Sequence, residues 1–351
     1  MLHSDSANTP AIEDMIEAFP LPTLVISGAG TLACMNAAAE VRFGKRALGR
    51  HLTTSLRHPK LVDAVELSLL DRAPRKVSFQ VVENGNDVFY DVHLRAIAGT
   101  PLLILSFQNA TEVVLAEQMR SDFVANVSHE LRTPLTSLMG FIETLQGPAR
   151  NDANARDRFL TIMSGEAERM NRLVGDLQSL SGVEAGEHVR PKTIIDVRDI
   201  LQTMLSNIAP LAQDSGVALR CDLGEIPMQV TGDSDQLIQV FTNLVENAIK
   251  YGGGGDQAVQ ISVSVETHDP VLRGPAVAIS VSDHGPGIDP IHLPRLTERF
   301  YRVDSHRSRQ IGGTGLGLSI VKHILNRHRG RLKVDSQLGE GSQFTVILPS
   351  A

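Results

Sequence analysis

Two apolar seams in the middle of the chain constrain its fold more than any other feature. Between Asn109 and about Ser181, the residues Val124, Val127, Leu131, Leu135, Leu138, Ile142 and Leu145 follow one another at three- and four-residue steps. Leu160, Met163, Ala167, Met170, Val174 and Leu177 repeat the pattern. Such spacing puts each set on one stripe of an α-helix, so two helices with coiled-coil-like seams are predicted. The intervening "QGPARNDANAR" is rich in breakers and polar residues and turns the pair into an antiparallel hairpin. Two such helices cannot bury their seams alone, which leads to a homodimer whose four helices form a bundle.

The flanking regions carry different patterns. From Leu21, "LPTLVISGAGTLACMNAAAEVRFG" reads as strand, Gly turn, strand and short helix, "RKVSFQVVENGNDVFYDVHLRAIAG" as a hairpin around "ENGND", and "PLLILSF" as a strand. Together they predict a small, mainly antiparallel α/β module. After Gly182, strand-like "VQISVSVET", "VAISVSDHG", "RLKVDSQ" and "SQFTVILP" alternate with helix-like "DSDQLIQVFTNLVENAIKY" and "GTGLGLSIVKHILNRHRG". The 351 residues, 42% of them apolar, suffice for several cores, and the predicted domains are 1–108, 109–182 and 183–351.

Charge and composition narrow the partners. A formal net charge of −7 without a long basic run argues against a nucleic-acid surface and for a protein or small-ligand partner. Cys34 and Cys221 match no metal or redox spacing, as in a reducing cytosol. The longest apolar stretches fall far short of the roughly 20 residues of a membrane helix, and the N-terminus lacks a signal-peptide pattern. A cytoplasmic chain without a membrane segment is expected, unless a longer form carries an anchor.

Within the first seam lies "SHELRTPL", Ser128 to Leu135. Helix residues two apart point roughly 200° apart, so with Leu131 on the seam His129 faces outward. The zinc motif H-E-x-x-H would need a histidine where Thr133 stands. A lone surface histidine is ordinarily only solvated, and the third region is what raises this one above that. There "NLVENAIKY" puts Asn243 and Asn247 one turn apart with Glu246 and Lys250 beside them, an arrangement suited to Mg²⁺ and phosphate oxygens. "DHGPGI" places Asp283 at a strand end, able to accept from an exocyclic amine, with Gly285 and Gly287 leaving room for a flat ring. "GGTGLGLSIVKHI" opens a helix whose exposed amides suit phosphate, yet fits neither the Rossmann nor the P-loop pattern. Taken singly, these are an amphipathic helix, a turn and a helix start; their order and spacing are informative.

In that order, "FVANVSHELRTPLTSLMGFIETL", "NLVENAIKY", "DHGPGI", "ERFYRVD", "GGTGLGLSIVKHI" and "GEGSQF" resemble the successive boxes of the sensor histidine kinases of bacterial two-component systems. The resemblance runs from about residue 115 to the C-terminus. The N-terminal module resembles a PAS sensor domain, and the whole is most similar to the phosphate-responsive subgroup. This implies a multidomain α+β chain: a PAS-like module, a helical hairpin forming a dimeric four-helix bundle, and an α/β-sandwich, GHKL-type ATP-binding domain. It implies His129 as phospho-acceptor, Glu130 accepting from the imidazole or taking its proton, and Thr133 positioning a water for phosphatase action. Pro134 would bend the helix. Asn247 would ligate Mg²⁺, Asn243 and Lys250 would approach the ATP phosphates, and Tyr251 would pack near the nucleotide. Asp283 would read the adenine amino group, Gly285 and Gly287 would admit the base, and Gly313, Thr314, Gly315, Leu316 and Gly317 would frame the phosphates. "RVDSHRSRQIGG" would be a lid, with Arg302 facing the γ-phosphate, Phe300 as its apolar anchor, and His306, Arg307 and Arg309 solvated. The partner would be the receiver domain of a separate response regulator.

The same ATP-binding fold resembles that of type II topoisomerases, mismatch-repair proteins and Hsp90 chaperones, so an ATP-hydrolysing clamp is the alternative. Those enzymes place a water-activating glutamate where this helix has Asn243. A catalytically inactive scaffold would call for damage at Asn247, Asp283 or the glycine box, and all are intact. His51 and His58 read as surface residues.

Overall fold

The computed structural model describes residues 9–56, 58–83, 85–187, 189–223, 228–252, 258–304 and 313–351. The chain divides into two units, Met1–Ala125 and Asn126–Ala351.

The first unit is built on an antiparallel sheet. Its elements are α1 (Thr9–Glu17), β1 (Thr23–Ile26), β2 (Leu32–Met35), α2 (Ala37–Phe43), α3 (Leu52–Ser55), α4 (Pro59–Asp71), β3 (Arg75–Glu83), β4 (Asn86–Ala96) and β5 (Leu103–Asn109). The strand order is β2-β1-β5-β4-β3, and every pairing is antiparallel. The predicted hairpin is present, with Glu83 opposite Asn86. Sequence reading passed over α4, which lies against β3, β4 and β5 and buries Leu61 and Val65 in a core with Leu94, Leu105 and Phe107. Buried Asn36 ties the entry of the sheet together. Its Oδ1 accepts from Thr23 N and Ala39 N, both at 2.9 Å, and its Nδ2 donates to the carbonyls of Ile16, Phe19 and Leu21. His58 is half-buried and stacks on Phe79 at 4.4 Å, unlike the surface residue expected; His51 is exposed.

A long helix, α5 (Thr111–Gln146), leads into the second unit and is followed by α6 (Ala153–Gly186). Asp152 caps α6, its Oδ1 accepting from Ala155 N at 3.0 Å. Glu130 meets Arg169 and Phe141 meets Phe159, so the contacts run backward along α6 as they run forward along α5, as an antiparallel hairpin requires. Helix α5 continues through buried Pro134, which has no N–H for the carbonyl of Glu130. Much of the predicted seam is exposed in the single chain: Leu135 is 50% accessible, Leu160 51%, Ile142 42% and Val174 42%. Helix α6 buries a different stripe, Leu173, Leu180 and Val183.

The rest of the second unit comprises β6 (Ile194–Asp196), α7 (Val197–Asp214), β7 (Leu219–Asp222), β8 (Gln229–Thr231), α8 (Ser234–Tyr251), β9 (Val259–Asp269), β10 (Gly274–Asp283), α9 (Gly317–Arg327), β11 (Arg331–Gln337) and β12 (Gly341–Pro349). Its main sheet runs β11-β12-β10-β9-β7, antiparallel except for β7 beside β9, and β6 pairs with β8. Helix α8 packs on α7, α9, β9 and β10, while α9 packs on β11 and on α6. Leu237, Val240, Phe241, Leu244 and Val245 of α8 are fully buried, as are Ile279, Ile320, Val321, Ile324 and Val346. This burial commits one face of α8 to the core and leaves Asn243, Glu246, Asn247 and Lys250 on the other. Where α9 meets the start of α8, buried His328 takes the amide of Asp233 on Nε2 at 2.9 Å and faces the carbonyl of Ile324 with Nδ1 at 2.7 Å. A carbonyl only accepts, so the imidazole is neutral with its proton on Nδ1. Burial lowers its pKa accordingly. Among the described residues, no helix is long and apolar enough to cross a membrane.

Candidate active site

A cavity of about 550 Å³ opens beside α8, between the loop after β10, the entry to α9 and one face of α6. Asn243, Asn247, Lys250, Tyr251, Asp283, Gly287, Arg302, Gly313, Thr314, Gly315 and Gly317 all line it. Gly285 and Leu316 do not; Leu316 is a fully buried core residue at the start of α9.

Each wall follows from local structure. The half-buried outer face of α8 offers two amides and a cation: Asn243 Nδ2 donates to Gly317 O at 3.4 Å, and Lys250 Nζ pairs with Glu246 at 2.5 Å. Asp283 is the last residue of β10, opposite Ser342 of β12. Its Oδ1 accepts from Gly285 N at 2.9 Å. Burial pushes its carboxyl above the ordinary range, opposed by the amides of Gly285 and Ser342.

The glycines answer to a constraint of the backbone itself. A Cβ at Gly285 would stand 2.5 Å from the carbonyl oxygen of Tyr251, and one at Gly287, where φ is +70°, would stand 2.0 Å from that of Gln337. These positions let two backbones cross; the space a side chain would take is already occupied by protein rather than kept free for a ring. Gly315 answers to the same constraint, since its Cβ would lie 2.9 Å from Cα of Phe300, whose amide donates to Gly315 O at 2.8 Å.

Sequence reading missed the wall supplied by α6. Arg172, Gly175 and Asp176 line the cavity, and Asp176 Oδ2 accepts from Thr314 Oγ1 at 2.6 Å. Burial raises the pKa of Asp176 against that hydrogen bond, and the charge of Glu246 adds to the rise. A carboxylate between the seam positions Val174 and Leu177 gives no sign in sequence that it faces a site. Ser342 and Phe344 of β12 also line the cavity, from the segment read as a turn and terminal strand.

His129 and Thr133 are exposed on α5 and lie outside the cavity lining, and Thr133 Oγ1 donates to the carbonyl of His129 at 3.1 Å. Glu130 is not bonded to the imidazole as expected. Its Oε2 accepts from Arg169 at 3.1 Å and from Arg302 at 3.0 Å, and Arg302 links it to the cavity. His306, Arg307 and Arg309 of the expected lid lie outside the described residues.

Comparison with known proteins finds relatives of both the helical hairpin and the α/β part. A family model described as the His Kinase A (phospho-acceptor) domain matches residues 119–186. Another, the histidine kinase-, DNA gyrase B- and HSP90-like ATPase, matches residues 232–351. The phosphate regulon sensor protein PhoR of Pseudomonas aeruginosa is 37% identical over 343 residues, 96% of this chain and 72% of that protein. Sensor protein kinase WalK of Staphylococcus aureus is 37% identical over 246 residues, 70% of this chain and 57% of WalK, so the chain spans little more than half of that relative. A solved structure of histidine kinase ThkA in complex with response regulator protein TrrA is alike in fold, with a TM-score of 0.51 at 19% identity, covering 97% of this chain and 98% of that one.

Proposed function

The chain belongs to the sensor histidine kinases, ATP-using autokinases of two-component signalling, and from that premise we propose that it carries the γ-phosphoryl group of ATP from the cavity beside α8 to His129, then to an aspartate on the receiver domain of a response regulator. The observation that carries the reading is the joining of the two halves of the chemistry in one unit: Glu130, next to exposed His129, is linked through Arg302 to the cavity that α8, Asp283 and the glycine box enclose.

The residues divide the work. Asp283 accepts from the adenine amine, and Tyr251 packs beside the base. Asn243, Lys250, Arg302 and the amides entering α9 meet the phosphates. Asn247 offers the hard oxygen donor that Mg²⁺ prefers and would hold the ion through its side-chain amide. When bound, Mg²⁺ neutralises charge on the transferred group. One ring nitrogen of His129 attacks phosphorus through its lone pair, and Glu130, the next residue in the chain, is the carboxylate that would accept from the other N–H once released by Arg302. The new N–P bond forms as the bond to the β-phosphate oxygen breaks, and ADP leaves with that electron pair. Thr133 positions water for the reverse task of dephosphorylating the partner.

Three further parts complete the proposal. The domains are 1–108, 109–182 and 183–351, and the strand order of the first supports a PAS-like module. Exposed Leu135, Ile142, Leu160 and Val174 are apolar side chains that a second copy would cover, making a homodimer. Likeness to a phosphate regulon sensor along nearly the whole chain supports the phosphate-responsive subgroup. The test is transfer of label from γ-labelled Mg-ATP to the purified protein beside His129→Gln. Acid-labile, alkali-stable label that the substitution abolishes is expected; steady phosphate release with no label would instead mean a hydrolytic clamp.

A further inference from the structure

Glu130 is engaged by two arginines. Its side chain is 15% exposed and its Oε2 accepts from Arg169 Nη2 on α6 and from Arg302 Nη2. Arg302, 8% exposed, uses the same nitrogen on the carbonyl of Thr314 at 2.9 Å, and its Nε is buried without a partner among the described residues. The same side chain lines the cavity. A guanidinium left partly unsatisfied at the edge of such a cavity gains more from several phosphate oxygens than from one shared carboxylate oxygen. With both guanidinium groups donating to it, Oε2 of Glu130 is committed to the arginines, and the side chain makes no hydrogen bond to the imidazole of His129.

We propose that Glu130 passes between these arginines. Arg302 holds it until the phosphates of ATP draw Arg302 away, and Arg169 alone then positions the carboxylate for His129. Arg169 is thereby a positioning residue of the transfer, acting through Glu130. The proposal rests on the roles given above to Glu130 and Arg302. It goes beyond them by making nucleotide binding and release of the base a single exchange.

The test uses the full chain and compares affinity for the β,γ-imido analogue of ATP and for ADP. Releasing Arg302 in advance helps the nucleotide, so Glu130→Gln binds the imido analogue about fivefold more tightly than the parent. The gain is smaller with ADP, which lacks the γ-phosphate, and absent when Arg302→Met is also present. Equal affinity of parent and Glu130→Gln, or a gain that persists without Arg302, overturns the exchange. For the positioning role, Arg169→Met slows autophosphorylation about tenfold at saturating ATP with the half-saturating concentration unchanged, and Arg169→Lys restores part of the rate. A shift in half-saturation matching the loss of rate, or no rescue by lysine, overturns that role. Undiminished autophosphorylation by Glu130→Gln would remove the base reading underneath, an outcome distinct from any affinity result.

Discussion

Replacing Asp283 by asparagine separates recognition from folding. Oδ1 of Asp283 is fixed by the amide of Gly285, so in the variant the amide oxygen keeps that bond and the NH₂ group occupies the other position. An NH₂ donor then faces the adenine amino donor. The substitution removes one charge-assisted hydrogen bond and leaves two donors opposed, which costs about 2–4 kcal/mol of binding, or roughly 30- to 1000-fold in ATP affinity. Guanine presents an acceptor at the corresponding position, so the preference for ATP over GTP shrinks as well. Stability moves independently. Burial holds the folded pKa of Asp283 above that of the unfolded chain, so the ionised group weakens the fold as pH rises through that interval and is a net cost at pH 7. Removing that charge offsets the weaker hydrogen bonds that a neutral amide makes with the Gly285 and Ser342 amides, so the urea midpoint of the variant at pH 7 stays close to the parent's. Calorimetric titration with ATP and GTP, run beside urea unfolding, gives both readings. Affinity within about threefold of the parent, or a midpoint that falls along with affinity, would refute the reasoning.

Other perturbations test the remaining links. Gly287→Ala forces a Cβ against the carbonyl of Gln337 at a left-handed backbone position and should destabilise the second unit by at least about 3 kcal/mol. Gly216→Ala, also at positive φ but in open space, costs only about 1–2 kcal/mol, and equal melting shifts would contradict the chain-crossing account. His328 is held neutral with a lowered pKa, so stability is lost as pH falls below the ordinary histidine value of 6.5, and His328→Asn should flatten that slope in melts between pH 7 and 5. Leu135→Glu with Ile142→Glu should turn a sedimenting dimer into a monomer; an unchanged sedimentation coefficient would place the dimer contact elsewhere.

Local chemistry made much of this protein legible. Three- and four-residue periodicity places side chains on one helix face wherever the helix goes, so α5, α6 and the cavity-lining face of α8 could be read directly, as could Asp283 at its strand end. Partnership across the chain could not. Asp176 meets Thr314, and Glu130 meets Arg302, across separations of 138 and 172 residues. A lone carboxylate on a helix carries no record of which distant backbone will pack against it. Helix α6 makes the same point, since beside the legible seam it buries a second stripe, Leu173, Leu180 and Val183, that only its packing partner defines. The glycines of "DHGPGI" were visible as glycines, but whether a ligand or a neighbouring backbone fills the space beside them depends on where the ends of α8 and β11 come to lie, and only the folded chain decides that.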